Sequence, residues 1–169
     1  MADKKERAKE RYSELAYEKK NFFETASKKE RKAMYAYAEG YKAFLDAAKT
    51  EREACEAAVA LAEAKGFTKY HFGDPLVAGD KKYFINRGKS VVVFRIGTRE
   101  LETDGMRLIA SHIDAPRVDI KQVPLYEDSG MAFLKTHYYG GIKKYQWTAI
   151  PLALHGVVVL KDGTRMDVK

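Results

Sequence analysis

Glycine and proline are so unevenly distributed that they divide this chain in two. Up to residue 65 there is one glycine, Gly40, and no proline, while Ala, Glu, Lys and Arg abound; every other glycine and all 4 prolines follow from Gly66 onward. A stretch of good helix formers free of breakers can propagate helix, whereas glycine and proline punctuate short strands and turns. The chain is therefore predicted to be helical first and strand-rich afterwards.

Within the first part, Ser27-Lys-Lys-Glu30 and Thr50-Glu-Arg-Glu53 match the capping box, in which a hydroxyl and a carboxylate three residues apart satisfy each other's orphan backbone donors. Three helices are predicted. The first runs from about Lys4 to Thr25. The second carries Met34, Tyr37, Tyr41, Phe44 and Leu45 on one stripe, read as core or subunit interface because aromatic residues at helical spacing usually pack. The third carries Cys55, Val59 and Ala62 and stops at Gly66. A capping match also occurs inside longer helices, so the second and third could be continuous.

Beyond Gly66, Lys82–Asn86 and Ser90–Ile96 read as a hairpin with Gly88 in the turn, followed by a strand ending at His112. Further strands are predicted at Val118–Gln122, Met131–Tyr138 and Leu152–Leu160, separated by Asp128-Ser-Gly130 and Gly140-Gly141. Pro151 stands where a strand start tolerates a missing donor. Asp162-Gly163 turns the chain into Arg165–Lys169, the beginning of a return strand. Ending inside a hairpin leaves an edge half paired, and this is read as a truncated protein.

Composition narrows the function classes. The net charge is +7 and the pI about 9.3, but basic residues are interspersed with acids, so nucleic acid is not an expected partner. Cys55 is the only cysteine and cannot form an internal disulfide; among alanines it reads as a small helix residue that is wholly or partly buried, consistent with a reducing cytoplasm. The N-terminus is charged and no apolar run approaches the roughly 18 residues of a membrane span, so no membrane association is expected.

Chemistry concentrates at Met106-Arg-Leu-Ile-Ala-Ser-His-Ile-Asp-Ala-Pro-Arg117. Packing accounts for Leu108-Ile109-Ala110 but not for ending the run in His112 and Asp114. A neutral imidazole is a common zinc ligand, and a neighbouring carboxylate can orient its ring and set its tautomer. A catalytic zinc needs about three protein ligands and an open position, so these residues read as one half of a metal site. His155 is read as an outward-facing or interface residue of a strand, and His71 has no nearby chemistry. Gly140-Gly141 before Lys143-Lys144 lacks the spacing of a phosphate loop and reads as a mobile turn.

Ser111-His-Ile-Asp-Ala-Pro-Arg117, Tyr138-Tyr-Gly-Gly141 and the stretch from Gly88-Lys-Ser to Asp162-Gly163 resemble the N-terminal part of the aspartyl aminopeptidase family of zinc metallopeptidases. The likeness is strongest to the clostridial-type bacterial branch, in which Thr136-His-Tyr-Tyr-Gly-Gly-Ile-Lys-Lys-Tyr-Gln-Trp-Thr-Ala-Ile-Pro-Leu152 is a characteristic run. The resemblance implies an α/β fold: a helical N-terminal segment plus part of a zinc-aminopeptidase α/β domain in residues 1–117, leading into an incomplete inserted β-rich dimerisation domain in residues 118–169. It further implies two zinc ions per complete site, peptide substrates and a homo-oligomer, typically a dodecamer. His112 corresponds to the first metal-binding histidine, and Asp114 to the catalytic-site acid that orients it. The bridging aspartate, the glutamate pair, a further carboxylate and the final histidine have no counterpart here. His137, beside Tyr138-Tyr139, is a candidate to approach a neighbouring subunit's active site, and Lys135, Lys143 and Lys144 could favour an acidic N-terminal substrate residue.

The expectation is thus an N-terminal fragment of a cytoplasmic zinc aminopeptidase, inactive alone. Two other classes remain: a non-catalytic assembly or interaction module, and an anion-binding protein, the latter requiring steep salt dependence.

Overall fold

The computed structural model describes residues 12, 13, 15–17 and 19–169. They fall into two compact units, one comprising the residues up to Tyr41 and the other Lys42–Lys169. The beginning of the predicted first helix lies outside the described residues. Inside them the helix is interrupted, because Asn21 takes an extended conformation (φ −72°, ψ 144°) and its side chain accepts a hydrogen bond from the Phe23 amide. A single turn follows, α1 (Phe22–Thr25).

Helix α2 (Lys28–Ala47) starts at the first predicted capping box: the Ser27 amide donates to Glu30 Oε2 at 2.8 Å, and the Glu30 amide donates to Ser27 Oγ at 3.2 Å. No residue of α2 is buried, and Tyr37, Tyr41 and Leu45 are all exposed. Its aromatic stripe is therefore not core among the described residues. Helix α3 (Glu51–Glu63) is separate, since Thr50 adopts φ −124°, ψ 166° and closes the second capping box with Glu53. A residue so extended cannot continue α2, which removes the continuous-helix alternative.

Helix α3 packs on a three-stranded sheet of β1 (Thr68–Lys69), β2 (Lys81–Asn86) and β3 (Ser90–Arg95). β1 runs parallel to β2, and β2 antiparallel to β3 with Asn86 opposite Ser90. The turn between β2 and β3 places both Arg87 (φ 53°) and Gly88 (φ 68°) in the left-handed region, as a type I′ turn requires. Among the described residues the buried apolar ones, Ala54, Cys55 and Ala62 of α3 and Tyr83 of β2, form a small core, with the Tyr83 hydroxyl donating to Glu63 at 2.6 Å. Cys55 is 2% exposed, the buried alternative of its predicted setting, and burial pushes its thiol up.

After α4 (Leu101–Asp104) the chain runs to β4 (Arg117–Asp128), which pairs with β5 (Met131–Tyr139). β4 outlasts its predicted end at Gln122 because a register shift between Ile120 and Leu125 accommodates Pro124, which has no amide to give a ladder. A short α5 (Lys144–Trp147) precedes the terminal hairpin of β6 (Gly156–Val159) and β7 (Arg165–Val168). The predicted strand from Leu152 is shorter than expected because β7 pairs only with residues 156–159. No described helix is long and apolar enough to cross a membrane.

The loop leading into β6 is held to α3 by a contact the sequence did not suggest. His155 Nδ1 lies 2.9 Å from Glu53 Oε1, and Lys169 Nζ lies 3.6 Å from the same oxygen. Burial pushes the Glu53 carboxyl up, but hydrogen bonds from His155 and Thr50 and the charges of His155 and Lys169 outweigh it, holding the carboxyl below its usual range. A depressed carboxyl contributes stability above its unfolded pKa and loses it as pH falls through the folded one. Glu53→Ala removes both the cap and this pair, and is expected to cost about 2–3 kcal/mol in urea unfolding at neutral pH. The deficit should shrink as the solution is acidified into the carboxylate range.

Candidate functional site

Gly105 (φ 67°) ends α4, and residues 106–115 then run without secondary structure to the start of β4. The strand predicted to end at His112 is not formed. No described strand lies alongside it, so its backbone has no ladder, and Leu108 and Ile109 are 79% and 95% exposed. His112 consequently projects from an unpaired segment, not from a sheet rim.

The structure does bring the two candidate residues together. His112 Nδ1 lies 2.8 Å from Asp114 Oδ1, with side chains 94% and 40% exposed. The hydrogen bond from His112 holds the Asp114 carboxyl below its ordinary value, with smaller help from the charges of His112 and Arg117. An ionised Asp114 accepts from Nδ1–H, which leaves the lone pair on Nε2, the nitrogen open to solvent and to a metal ion.

Next to this pair stands Arg117, which sequence reasoning did not single out. Its Nη1 is 3.6 Å from Asp114 Oδ2, its Nε donates to Asp119 Oδ1 at 2.7 Å, and its Nη2 is 3.1 Å from Glu51 Oε1. The guanidinium lies 4.9 Å from the centroid of the Tyr139 ring. Its position directly after Ala115-Pro116 was a legible signal, but its partner Glu51 is remote in sequence.

Pro116 is held in turn by Gly140. At φ 76°, a Cβ on Gly140 would sit 3.1 Å from Pro116 Cα and 3.2 Å from its Cβ. Within the Gly140-Gly141 pair, read from sequence as a mobile turn, Gly140 thus packs closely against the residue that follows the His112 segment, whereas Gly141 faces open space. Lys144 lies over the Tyr138 ring at 4.0 Å and Lys135 over Tyr126 at 5.3 Å, so both cations rest on aromatic faces. His137 faces Asp119 across the ladder and packs against Tyr138 and Tyr139.

Among the described residues no three His, Cys, Asp or Glu side chains converge as a metal-binding group. His112 Nε2 offers one good donor, short of the three that a catalytic zinc requires. This segment can contribute to a metal centre without completing one.

A family profile described as aminopeptidase I zinc metalloprotease (M18) matches residues 44–169. A probable M18 family aminopeptidase 1 of Clostridium acetobutylicum is 45% identical over 160 residues, covering 92% of this chain and 34% of the relative. Among solved structures, aminopeptidase I from Borrelia burgdorferi B31 superposes with a TM-score of 0.81 at 40% identity, over 88% of this chain and 37% of that one. The M18 aminopeptidase of Thermotoga maritima gives 0.78 at 39% identity, over 90% and 33%. The chain spans about a third of the length of these relatives.

Proposed function

We infer, from the premise that this chain belongs to the M18 family of aminopeptidase I zinc metalloproteases, that it supplies the first metal-ligating segment of a zinc aminopeptidase acting on peptides. The observation that carries this reading is the His112–Asp114 contact of 2.8 Å on a ring 94% exposed. Zinc, when bound, would polarise a scissile carbonyl and lower the pKa of a water molecule. His112 would hold it through Nε2, while Asp114 keeps Nδ1 protonated and the ring in place. Asp114 thereby acts through His112 and not on substrate.

Residues 118–169 then form the start of the inserted β-rich dimerisation domain, and residues 1–117 the helices and opening of the peptidase domain. Exposed apolar side chains on α2, on residues 106–109 and on the β4–β5 ribbon favour assembly with further polypeptide, including a homo-oligomer. A cytoplasmic setting agrees with a single buried thiol at Cys55.

On this reading the 169-residue chain, tested as it stands, hydrolyses no aminoacyl substrate and binds zinc only weakly. An aminoacyl-4-nitroanilide assay and calorimetric zinc titration measure both. Tight stoichiometric zinc with turnover would mean that this chain builds a complete centre from groups other than those described.

A further inference from the structure

We infer that Arg117 is a positioning residue that locks the Asp114 carboxylate against His112, keeping the imidazole in the tautomer with Nε2 unprotonated. The inference deepens the ligand reading above and rests on it for its functional meaning.

His112 is almost wholly exposed, so no packing fixes its ring. Its orientation depends on a single hydrogen bond to Asp114 Oδ1, and one bond leaves the carboxylate free to rotate about Cβ–Cγ. A cation at the second oxygen removes that freedom, and Arg117 Nη1 stands 3.6 Å from Asp114 Oδ2. A guanidinium can do this only if it cannot itself swing away. Here Nε is bonded to Asp119, Nη2 is paired with Glu51 on the first turn of α3, and the flat face lies on Tyr139 at the end of β5. Its side chain is 25% exposed, against 94% for the imidazole it serves. The hydrogen bond it donates to Asp119, with the charges of Glu51, Asp119 and Asp114, holds the guanidinium firmly charged.

Three carboxylates approach one guanidinium from different directions, a task that suits a rigid fork of donors. A lysine ammonium would supply the charge without the geometry. Arg117 therefore transmits the rigidity of α3 and β5 to an imidazole that has none of its own.

The test is the nitrogen-15 NMR signature of the His112 ring in this chain, recorded where the imidazole is neutral. In the parent chain Nδ1 should carry the proton almost exclusively. Arg117→Met should shift the ring toward the mixture of free imidazole, in which the Nε2–H tautomer predominates, and Arg117→Lys should recover only part of the parent signature. Unchanged His71 and His155 signals report an intact fold. A parent-like His112 ring in Arg117→Met overturns the inference; if that variant does not fold, a parent-like ring in Arg117→Lys does so instead. Zinc alone, added to the parent chain, separates the two readings. If zinc in millimolar excess, enough to populate even a weak one-ligand site, leaves His112 unperturbed while Arg117→Met still alters the tautomer, the positioning role stands and the ligand role falls.

Discussion

In a complete M18 enzyme carrying this segment, His112→Ala is expected to weaken zinc binding by more than about a hundredfold and to abolish zinc-dependent turnover. Loss of an outer partner that only orients a ligand costs about ten- to a hundredfold in metal affinity. Loss of the ligand itself must exceed this, since a catalytic zinc relies on about three protein donors. Asp114→Asn should fall inside the smaller range: the shape survives, but the ionised acceptor that secures Nδ1–H is gone. Competition with a chromophoric chelator measures both affinities. Equal, small effects of the two substitutions would place zinc away from His112. Because the ring touches little besides Asp114, His112→Ala should leave the unfolding midpoint of the chain unchanged. That separates a chemical role from a structural one.

Gly140→Ala and Gly141→Ala are expected to differ sharply although the residues are adjacent. At Gly140 a side chain meets two costs. The backbone sits at φ 76°, where an L-residue pays about 1–2 kcal/mol, and the new Cβ lies 3.1 Å from the Pro116 Cα, a contact only a backbone shift can relieve. Overpacking of this kind costs about 1–3 kcal/mol, so Gly140→Ala should lose about 3 kcal/mol in total. At Gly141 nothing lies within 4 Å of a built Cβ and the backbone is not left-handed, so its substitution should stay within about 0.5 kcal/mol. Urea unfolding compares the two directly. Pro116 immediately precedes Arg117, so a shift here would also disturb the His112 tautomer, whereas Gly141→Ala should not. Equal destabilisation by both substitutions would show that the Gly140–Pro116 contact is not formed in solution.

Much of the local structure was legible because it depends on short-range chemistry. Both capping boxes involve residues three apart, and both formed as the pattern required. The hairpin at Gly88 and the two-residue turn at Ser129-Gly130 follow from positive φ, which glycine accepts readily. The break at Asn21 was also local and could have been read from the capping preference of asparagine. By contrast, the strand predicted to end at His112 failed because an apolar run states a need for partners without supplying them. Leu108 and Ile109 remain in solvent in this chain.

The sequence by itself determined the helix-then-strand order, the starts of α2 and α3, the turns at Gly88 and Ser129-Gly130 and the pairing of His112 with Asp114, because each is settled within a few residues by propensity, capping or adjacency. Only the tertiary structure decided that Glu51 reaches Arg117, that Glu53 holds His155, and that Gly140 bears on Pro116. Those contacts join residues tens of positions apart. Which charge or glycine meets which neighbour depends on how α3, β4, β5 and the final hairpin fold back on one another, and no local pattern encodes that distance.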